Sequence, residues 1–139
     1  MNEEERRRLM EQAAAARAHA YAPYSGYAVG AAILAVGGKL YRGVNVENAA
    51  YPSGMCAERV ALFSAVAAGE RKFLALAVVT RDGGMPCGAC RQALAEFGAE
   101  MEIITADEKG VITDITMLTE LLPKTFGAKN VTAQPLLPD

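Results

Sequence analysis

A continuous apolar run, FLALAVVT at residues 73–80, restricts the possible folds of this chain more than any other segment. It is short for a helix, and a strand that is apolar throughout is typical of one that is buried on both faces. Helical segments at residues 56–68 and 87–97 flank it, and each ends at a glycine. The run therefore predicts a sheet that is covered by helices.

The other segments complete this α/β pattern. A helix at residues 3–19 can be capped by Asn2, with Glu5 at the reciprocal capping position. The predicted strands cover residues 27–36, 39–47, 73–80, 101–106 and 110–117, and a short helix follows at residues 117–123. We predict a single domain over residues 1–139, with a three-layer α/β/α fold around a central mixed sheet of about five strands.

Charge and hydropathy exclude several classes of partner. The 139 residues are 52% hydrophobic, which is enough for one domain with a real core. A formal net charge of −2 lacks the basic excess that nucleic-acid binding needs, and no apolar run approaches the roughly 20 residues that span a bilayer. The basic run at residues 6–8 lies near acidic residues of the same helix and is expected to be a solvated face. A small-molecule partner is predicted, with no nucleic acid and no membrane.

Three cysteines indicate the compartment and then the chemistry. Their number is odd and no apolar leader segment precedes them, which argues against a disulfide framework and predicts a cytoplasmic protein. Cys87 and Cys90 lie in PCGAC, where their spacing places both sulfurs on one side of a first helical turn. Cys56 opens the other helix. If the two helix N-termini converge, their dipoles favour thiolates, and three thiolates predict a zinc site with one open, catalytic position.

Three other interpretations of the cysteines remain open at this point. Isolated cysteines are often small buried hydrophobes, and a Cys-x-x-Cys pair can be a redox dithiol. The third alternative is a structural site of three cysteines closed by His19, the only histidine, at the end of the first helix. Such a closed site would have no position for a substrate or water.

Two charged residues directly after Cys56 favour the catalytic interpretation. Glu58 lies two residues from a predicted zinc ligand, where its carboxylate can exchange protons with water and substrate without binding the metal. Arg59 can offset the net negative charge of zinc with three thiolates by hydrogen bonding to the sulfurs. The simpler alternatives are a helix-dipole carboxylate and an arginine on an exposed helix face.

These residues resemble a known signature. CAER at residues 56–59, followed by PCGACRQ at residues 86–92, is similar to the motif of zinc nucleoside deaminases in its cysteine form. The resemblance extends to YSGYAVGAA at residues 24–32, GVNVENAAYPSGMCAERVAL at residues 43–62 and ELLPKTFG at residues 120–127. Together these segments resemble the small, homotetrameric cytidine deaminases and cover nearly the whole chain.

The resemblance implies roles for residues around the zinc site. Asn45 and Glu47 match the pair that binds the sugar 3′-hydroxyl, with Val46 between them, and this fits the hydrogen-bonding capacity of an amide and an acid. The backbone of Ala57 and the carboxyl group of Glu58 match the groups that contact the pyrimidine O2 and N3.

Two aromatic residues also match family positions. Tyr27 stands where the family usually has Phe against the substrate ring, so the ring packing is expected to remain while the hydroxyl is an addition. Phe126 matches an aromatic residue that enters a neighbouring subunit's site and stacks on the base, whereas the sequence alone favours a core position for it.

The resemblance implies the reaction and its cofactor. One Zn²⁺ per subunit, held by Cys56, Cys87 and Cys90, is expected to support hydrolytic deamination of cytidine and deoxycytidine to uridine and deoxyuridine in pyrimidine salvage. The expected assembly is a homotetramer with sites that are completed across subunits. Deamination of another small aminopyrimidine, such as a blasticidin-type antibiotic, shares the zinc motifs and is the alternative. A non-catalytic zinc module would need a fourth protein ligand and would not use Glu58.

Overall fold

A five-stranded mixed sheet forms the centre of the computed structural model, which describes residues 1–132 of the chain. The helices are α1 (Glu3–Arg17), α2 (Ala57–Ala67), α3 (Gly88–Ala95) and α4 (Leu118–Leu121). The strands are β1 (Gly30–Ala35), β2 (Leu40–Val44), β3 (Phe73–Val79), β4 (Glu102–Ala106) and β5 (Ile112–Met117). They pair in the order β2-β1-β3-β4-β5, with β3 and β4 parallel and the other neighbours antiparallel. The predicted mixed sheet is confirmed, and the apolar run is its central strand.

Both faces of β3 are buried, as its composition predicts, except at Leu74, which is 45% exposed. Ala75, Ala77 and Val79 belong to a core beneath α1, whereas Leu76 and Val78 belong to a core beneath α2 and α3 on the opposite face. This alternation follows from the two-residue period of a strand. The α/β/α layering is therefore confirmed. None of the helices in the described part of the chain has both the length and the apolar character needed to span a bilayer.

The predicted start of α1 is confirmed, whereas the predicted start of β1 is wrong. The predicted capping box of α1 is present: Asn2 Oδ1 accepts from Glu5 N at 2.8 Å, and Asn2 N donates to Glu5 Oε2 at 2.9 Å. Strand β1 begins at Gly30, three residues later than predicted, because Val29 N donates to the side chain of Asn45 at 2.8 Å. The side chain of Asn45 thus accepts the hydrogen bond of Val29 N that a backbone partner would otherwise accept, while Asn45 N still donates to Val29 O at 3.3 Å.

A glycine in β2 allows the first turn of α2 to lie directly on the sheet. A Cβ atom at Gly43 would overlap the carbonyl oxygen of Ala57 and the backbone nitrogen of Ala61. These atoms belong to the helix backbone, which has no side-chain rotation available to relieve the overlap. Gly43 therefore sets how closely the start of α2, and with it Cys56 and Glu58, approaches the sheet.

Replacing Gly43 by alanine is expected to destabilise the protein by about 1–3 kcal/mol, the usual cost of overpacking a tight contact. Urea unfolding followed by circular dichroism measures this change. Gly37→Ala is the matched control, because a Cβ atom at Gly37 meets nothing within 4 Å. Equal stabilities for the two variants would show that Gly43 does not set the spacing between α2 and the sheet.

Candidate active site

The three cysteines converge at the N-termini of α2 and α3. Cys56 is the N-cap residue of α2 and Cys87 that of α3, so both helices begin one residue later than predicted, and Pro86 precedes the cap of α3. Cys90 lies one turn further along α3 and is buried. The Sγ atoms of Cys56 and Cys87 are 3.8 Å apart, and those of Cys87 and Cys90 are 3.6 Å apart. The predicted convergence of the two helix N-termini is observed.

This sulfur cluster fits a zinc ion. All three Sγ atoms lie within 4.8 Å of one another. Tetrahedral zinc with bonds to sulfur of about 2.3 Å requires sulfur–sulfur distances of about 3.8 Å. The Cys56–Cys87 and Cys87–Cys90 distances match this value closely. Among residues 1–132, the metal-binding group consists of these cysteines alone, so His19 does not join it. His19 instead lines a shallow cavity beside Arg42 and Val60, and the site closed by histidine is not formed.

Hydrogen bonds among these groups favour a thiolate at Cys56. A hydrogen bond from the Cys90 thiol and another from Arg59 lower the pKa of Cys56 to about 5. The pKa of Cys90 is raised, chiefly because its thiol donates to Cys56 and because it is buried. Arg59 Nη2 lies 3.4 Å from Cys56 Sγ, and this contact raises the pKa of the guanidinium further. Arg59 is therefore directed at the sulfur cluster rather than at solvent.

Glu58 lies in the first turn of α2 and is only 5% exposed. Burial raises the pKa of its carboxyl group, and the nearby Cys56 thiolate raises it further. Glu58 lines a cavity of about 290 Å³ that Cys56, Ala57 and Cys87 also line. A carboxyl group whose pKa is raised beside the sulfur cluster can accept and return protons.

The same cavity continues to Asn45 and Glu47, which follow β2. Asn45 Nδ2 donates to the carbonyl oxygen of Tyr27 at 2.8 Å, and Asn45 Oδ1 accepts from Val29 N. Glu47 Oε1 accepts from the backbone N atoms of Tyr24 and Ser25 at 2.9 and 3.0 Å. Both side chains are thus fixed before any ligand arrives.

A second cavity, of about 510 Å³, adjoins the first and is lined by Asn45, Val46, Glu47 and Cys56. Backbone hydrogen bonds of 3.0 Å in both directions pair Val46 with Met55, the residue before Cys56. The predicted sugar-binding segment is therefore tied directly to the start of α2. Ala57 is fully buried and lines the first cavity beside Cys56 and Glu58.

Several residues that hold the site were missed by the sequence analysis. The hydroxyl of Ser25 donates to Glu47 Oε2, and hydrogen bonds from Ser25 are the largest cause of the lowered pKa of Glu47. Tyr27 Oη donates to Asp82 Oδ1 at 2.5 Å. Because Asp82 is 55 positions from Tyr27 in the sequence, no local pattern predicts this contact. The turn residues in YSG were the signal available for Ser25.

Phe126 lies apart from these cavities and is 62% exposed. The core position that the sequence alone favours is wrong. The carbonyl oxygen of Phe126 accepts a hydrogen bond from Gln92 Nε2 at 3.0 Å, which connects this segment to α3. The ring itself projects from the surface of the single chain.

Comparison with known proteins agrees with this geometry. The sequence model of one protein family, the cytidine and deoxycytidylate deaminase zinc-binding region, matches residues 3–106 of this chain. A cytidine deaminase of Sporosarcina psychrophila is 46% identical over 127 residues, which cover 89% of this chain and 93% of that protein. The crystal structure of the Burkholderia pseudomallei cytidine deaminase is 46% identical, with a TM-score of 0.82 and coverage of 91% of this chain and all of that one.

A more distant structure gives the same fold. The cytidine deaminase of Mycobacterium tuberculosis is 41% identical, with a TM-score of 0.75 and coverage of 86% of this chain and 95% of that one. The family resemblance, the fold class and the zinc cofactor predicted from the sequence are confirmed by these matches together with the three-cysteine cluster. By its sequence and its fold, the chain belongs to the cytidine and deoxycytidylate deaminase family.

Proposed function

We propose that this protein catalyses the hydrolytic deamination of cytidine and deoxycytidine to uridine and deoxyuridine, with release of ammonia. One observation carries the proposal: the buried carboxyl group of Glu58 shares a cavity with Cys56 and Cys87 of the sulfur cluster, and Asn45 and Glu47 line the same cavity. A proton-transfer group, a metal site and two hydrogen-bonding groups for a sugar then surround one volume.

Cys56, Cys87 and Cys90 are proposed to hold one zinc ion per chain. A zinc ion held there would act as a Lewis acid and would lower the pKa of a water molecule toward about 7. Arg59 donates to Cys56 Sγ, and its charge offsets the net negative charge of three thiolates around a divalent cation.

Glu58 is proposed to move the protons of the reaction. Its carboxylate takes a proton from the attacking water and delivers it to N3 of the pyrimidine, which makes C4 more electrophilic. The second water proton passes by the same carboxyl group to the amino group on C4, so that ammonia leaves and a carbonyl group remains. Burial suits this role because it raises the pKa of the Glu58 carboxyl group and so favours its holding a proton between transfers.

The remaining lining residues are proposed to bind and orient the nucleoside. Asn45 and Glu47 bind the sugar 3′-hydroxyl, with Val46 against the sugar. The backbone of Ala57 contacts the pyrimidine O2, and the ring of Tyr27 packs against the base. The hydrogen bonds that fix Asn45 and Glu47 in the free protein support this assignment, because fixed groups lose little conformational entropy on binding.

Ammonia release from cytidine and deoxycytidine by zinc-loaded protein tests the proposed activity. Cytosine is the control for the need for a sugar, and CMP is the control for the need for an unphosphorylated sugar. A blasticidin-type antibiotic tests the alternative substrate class. Turnover of the antibiotic without turnover of cytidine would overturn the proposed substrate and leave the zinc chemistry in place.

The proposed active form is a homotetramer in which Phe126 stacks on the base in a neighbouring subunit. The exposed ring of Phe126, remote from the cavities of its own chain, supports this proposal. We also propose that residues 1–139 form one domain, of which residues 133–139 lie outside the described part. A cytoplasmic location is proposed because three free thiols are best kept reduced there.

Replacing Phe126 by alanine is expected to lower kcat/KM for cytidine by about 5- to 150-fold, as the loss of about 1–3 kcal/mol of base stacking predicts. Zinc content is expected to stay unchanged. Steady-state kinetics and metal analysis measure the two quantities.

Mixed tetramers test whether each active site is formed by two subunits or by one. When Phe126→Ala chains are reassembled with inactive Cys87→Ala chains, some sites receive both an intact zinc centre and an intact Phe126, so activity is expected to recover. A fully active monomer in sedimentation, or no recovery in tetramers shown to be mixed, would contradict the shared site.

A further inference from the structure

The hydroxyl group of Tyr27 is hydrogen-bonded to a loop that lines the active-site cavity. Tyr27 Oη donates to Asp82 Oδ1 at 2.5 Å, and Thr80 Oγ1 lies 3.3 Å from the same oxygen. Gly84 N donates to Thr80 Oγ1 at 2.9 Å. Residues 80–86, here called the 80–86 loop, connect the end of β3 to Cys87. A single hydroxyl thus joins a hydrogen-bonded network within the loop that leads to the sulfur cluster.

Close packing makes the position of this loop sensitive to that hydroxyl. A Cβ atom at Gly84 would lie 2.8 Å from Tyr27 Oη, so the loop backbone passes directly over the phenol oxygen. The guanidinium group of Arg81 lies 5.4 Å from the centre of the Tyr27 ring, which adds a cation–π contact. Gly84 and Met85 line the cavity that contains Glu58. The loop is therefore a wall of that cavity, held against Tyr27.

The backbone of Tyr27 is connected by hydrogen bonds to the proposed sugar-binding side chains that line the same cavity. Tyr27 N donates to Ser25 Oγ at 3.0 Å, and Ser25 Oγ in turn donates to Glu47. The carbonyl oxygen of Tyr27 accepts from Asn45. One residue therefore connects the two proposed sugar-binding side chains to the loop before Cys87.

We propose that Asp82 is a positioning residue, which acts through the hydroxyl of Tyr27 to fix the 80–86 loop as a wall of the nucleoside pocket. The hydroxyl serves this loop and does not bind the substrate sugar. Asp82 itself does not line either cavity beside Glu58, so it acts through Tyr27 rather than on the substrate. The inference rests on the proposed function, because it assumes that a nucleoside occupies this pocket.

Kinetics of Tyr27→Phe, Asp82→Ala and the double variant test the proposal. Each single change is expected to raise KM for cytidine about tenfold, the lower end for loss of a hydrogen bond to a charged group, with kcat nearly unchanged. The double variant is expected to be no worse than the more impaired single one, because either change breaks the same contact. Asp82→Asn keeps an acceptor oxygen for Tyr27 and is expected to restore much of the wild-type KM.

Tyr41→Phe is the matched control, because Tyr41 Oη donates to Glu70 at 3.1 Å and lines neither cavity beside Glu58. Its KM is expected to equal that of the wild type. An unchanged KM in Tyr27→Phe, or additive effects in the double variant, would overturn the proposal. A changed ratio of cytidine to deoxycytidine turnover in Tyr27→Phe but not in Asp82→Ala would instead show that the hydroxyl contacts the sugar.

Hydrogen exchange tests the same contact without a substrate. The amides of the 80–86 loop are expected to exchange faster in Tyr27→Phe and Asp82→Ala than in the wild type and Tyr41→Phe. Absence of ammonia release by wild-type protein would reject the proposed function, whereas exchange rates that do not change in the variants would reject the positioning role by itself.

Discussion

Replacing Glu58 by glutamine is expected to lower kcat for cytidine by about 10⁴-fold or more while leaving the fold and the zinc content intact. General acid–base groups contribute about 10²–10⁴-fold, and a carboxyl group that serves several proton transfers belongs at or above the upper end. Glutamine preserves the shape of the side chain at this buried position in the first turn of α2. It cannot accept and return protons, so the chemical step is lost and the pocket remains.

Steady-state kinetics, metal analysis and thermal unfolding measure these effects together. Glu70→Gln is the matched control, because Glu70 accepts a hydrogen bond from Tyr41 and lines neither cavity beside Glu58. It is expected to retain wild-type kcat. Near-normal turnover by the Glu58→Gln variant, with zinc present, would remove Glu58 from its proposed role and leave the fold assignment untouched.

Replacing Cys87 by alanine is expected to weaken zinc binding by at least about 100-fold and to abolish deamination. Loss of a group that hydrogen-bonds to a zinc ligand already lowers zinc affinity by about 10–100-fold, and loss of the ligand itself lowers it further. Cys87 Sγ lies 3.8 Å from Cys56 Sγ and 3.6 Å from Cys90 Sγ. Its removal leaves two sulfurs and opens the most exposed side of the cluster.

Zinc per chain, measured after dialysis against a chelator, tests this expectation. The matched control is His19→Ala, which removes the only histidine in the chain. That variant is expected to keep full zinc content and nearly full activity, because His19 lies outside the metal-binding group. Full zinc retention by Cys87→Ala would reject the ligand assignment, and loss of zinc in His19→Ala would revive a site closed by histidine.

The sequence predicted the layered fold because its strongest signals are local. The apolar run at residues 73–80 marks a strand that is buried on both faces, and β3 has this character. The capping box of Asn2 and Glu5 marks the start of α1 correctly for the same reason. The predicted start of the first strand was wrong by three residues, because the side chain of Asn45, which is distant in sequence, binds the backbone there.

The sequence also indicated the chemistry of the site, but it did not indicate the residues that hold the site residues in position. Residue types and spacing were sufficient to predict that Cys56, Cys87 and Cys90 lie together and that Glu58 lies beside them. The same information gave no signal for Asp82, because its partner lies 55 positions away. Short-range motifs report the groups that react, while the groups that hold them are chosen by tertiary contacts.

The sequence by itself determined the family and the layered α/β/α fold and predicted a set of reactive groups, because helix caps, apolar periodicity and ligand spacing are properties of neighbouring residues. Only the tertiary structure decided that the N-termini of α2 and α3 meet, that Arg59 points to the sulfurs and that His19 stays away from them. It also decided that the hydroxyl of Tyr27 joins the 80–86 loop. These outcomes depend on how close Gly43 allows α2 to approach the sheet and on which distant loops then pack together, and no local pattern encodes such distances.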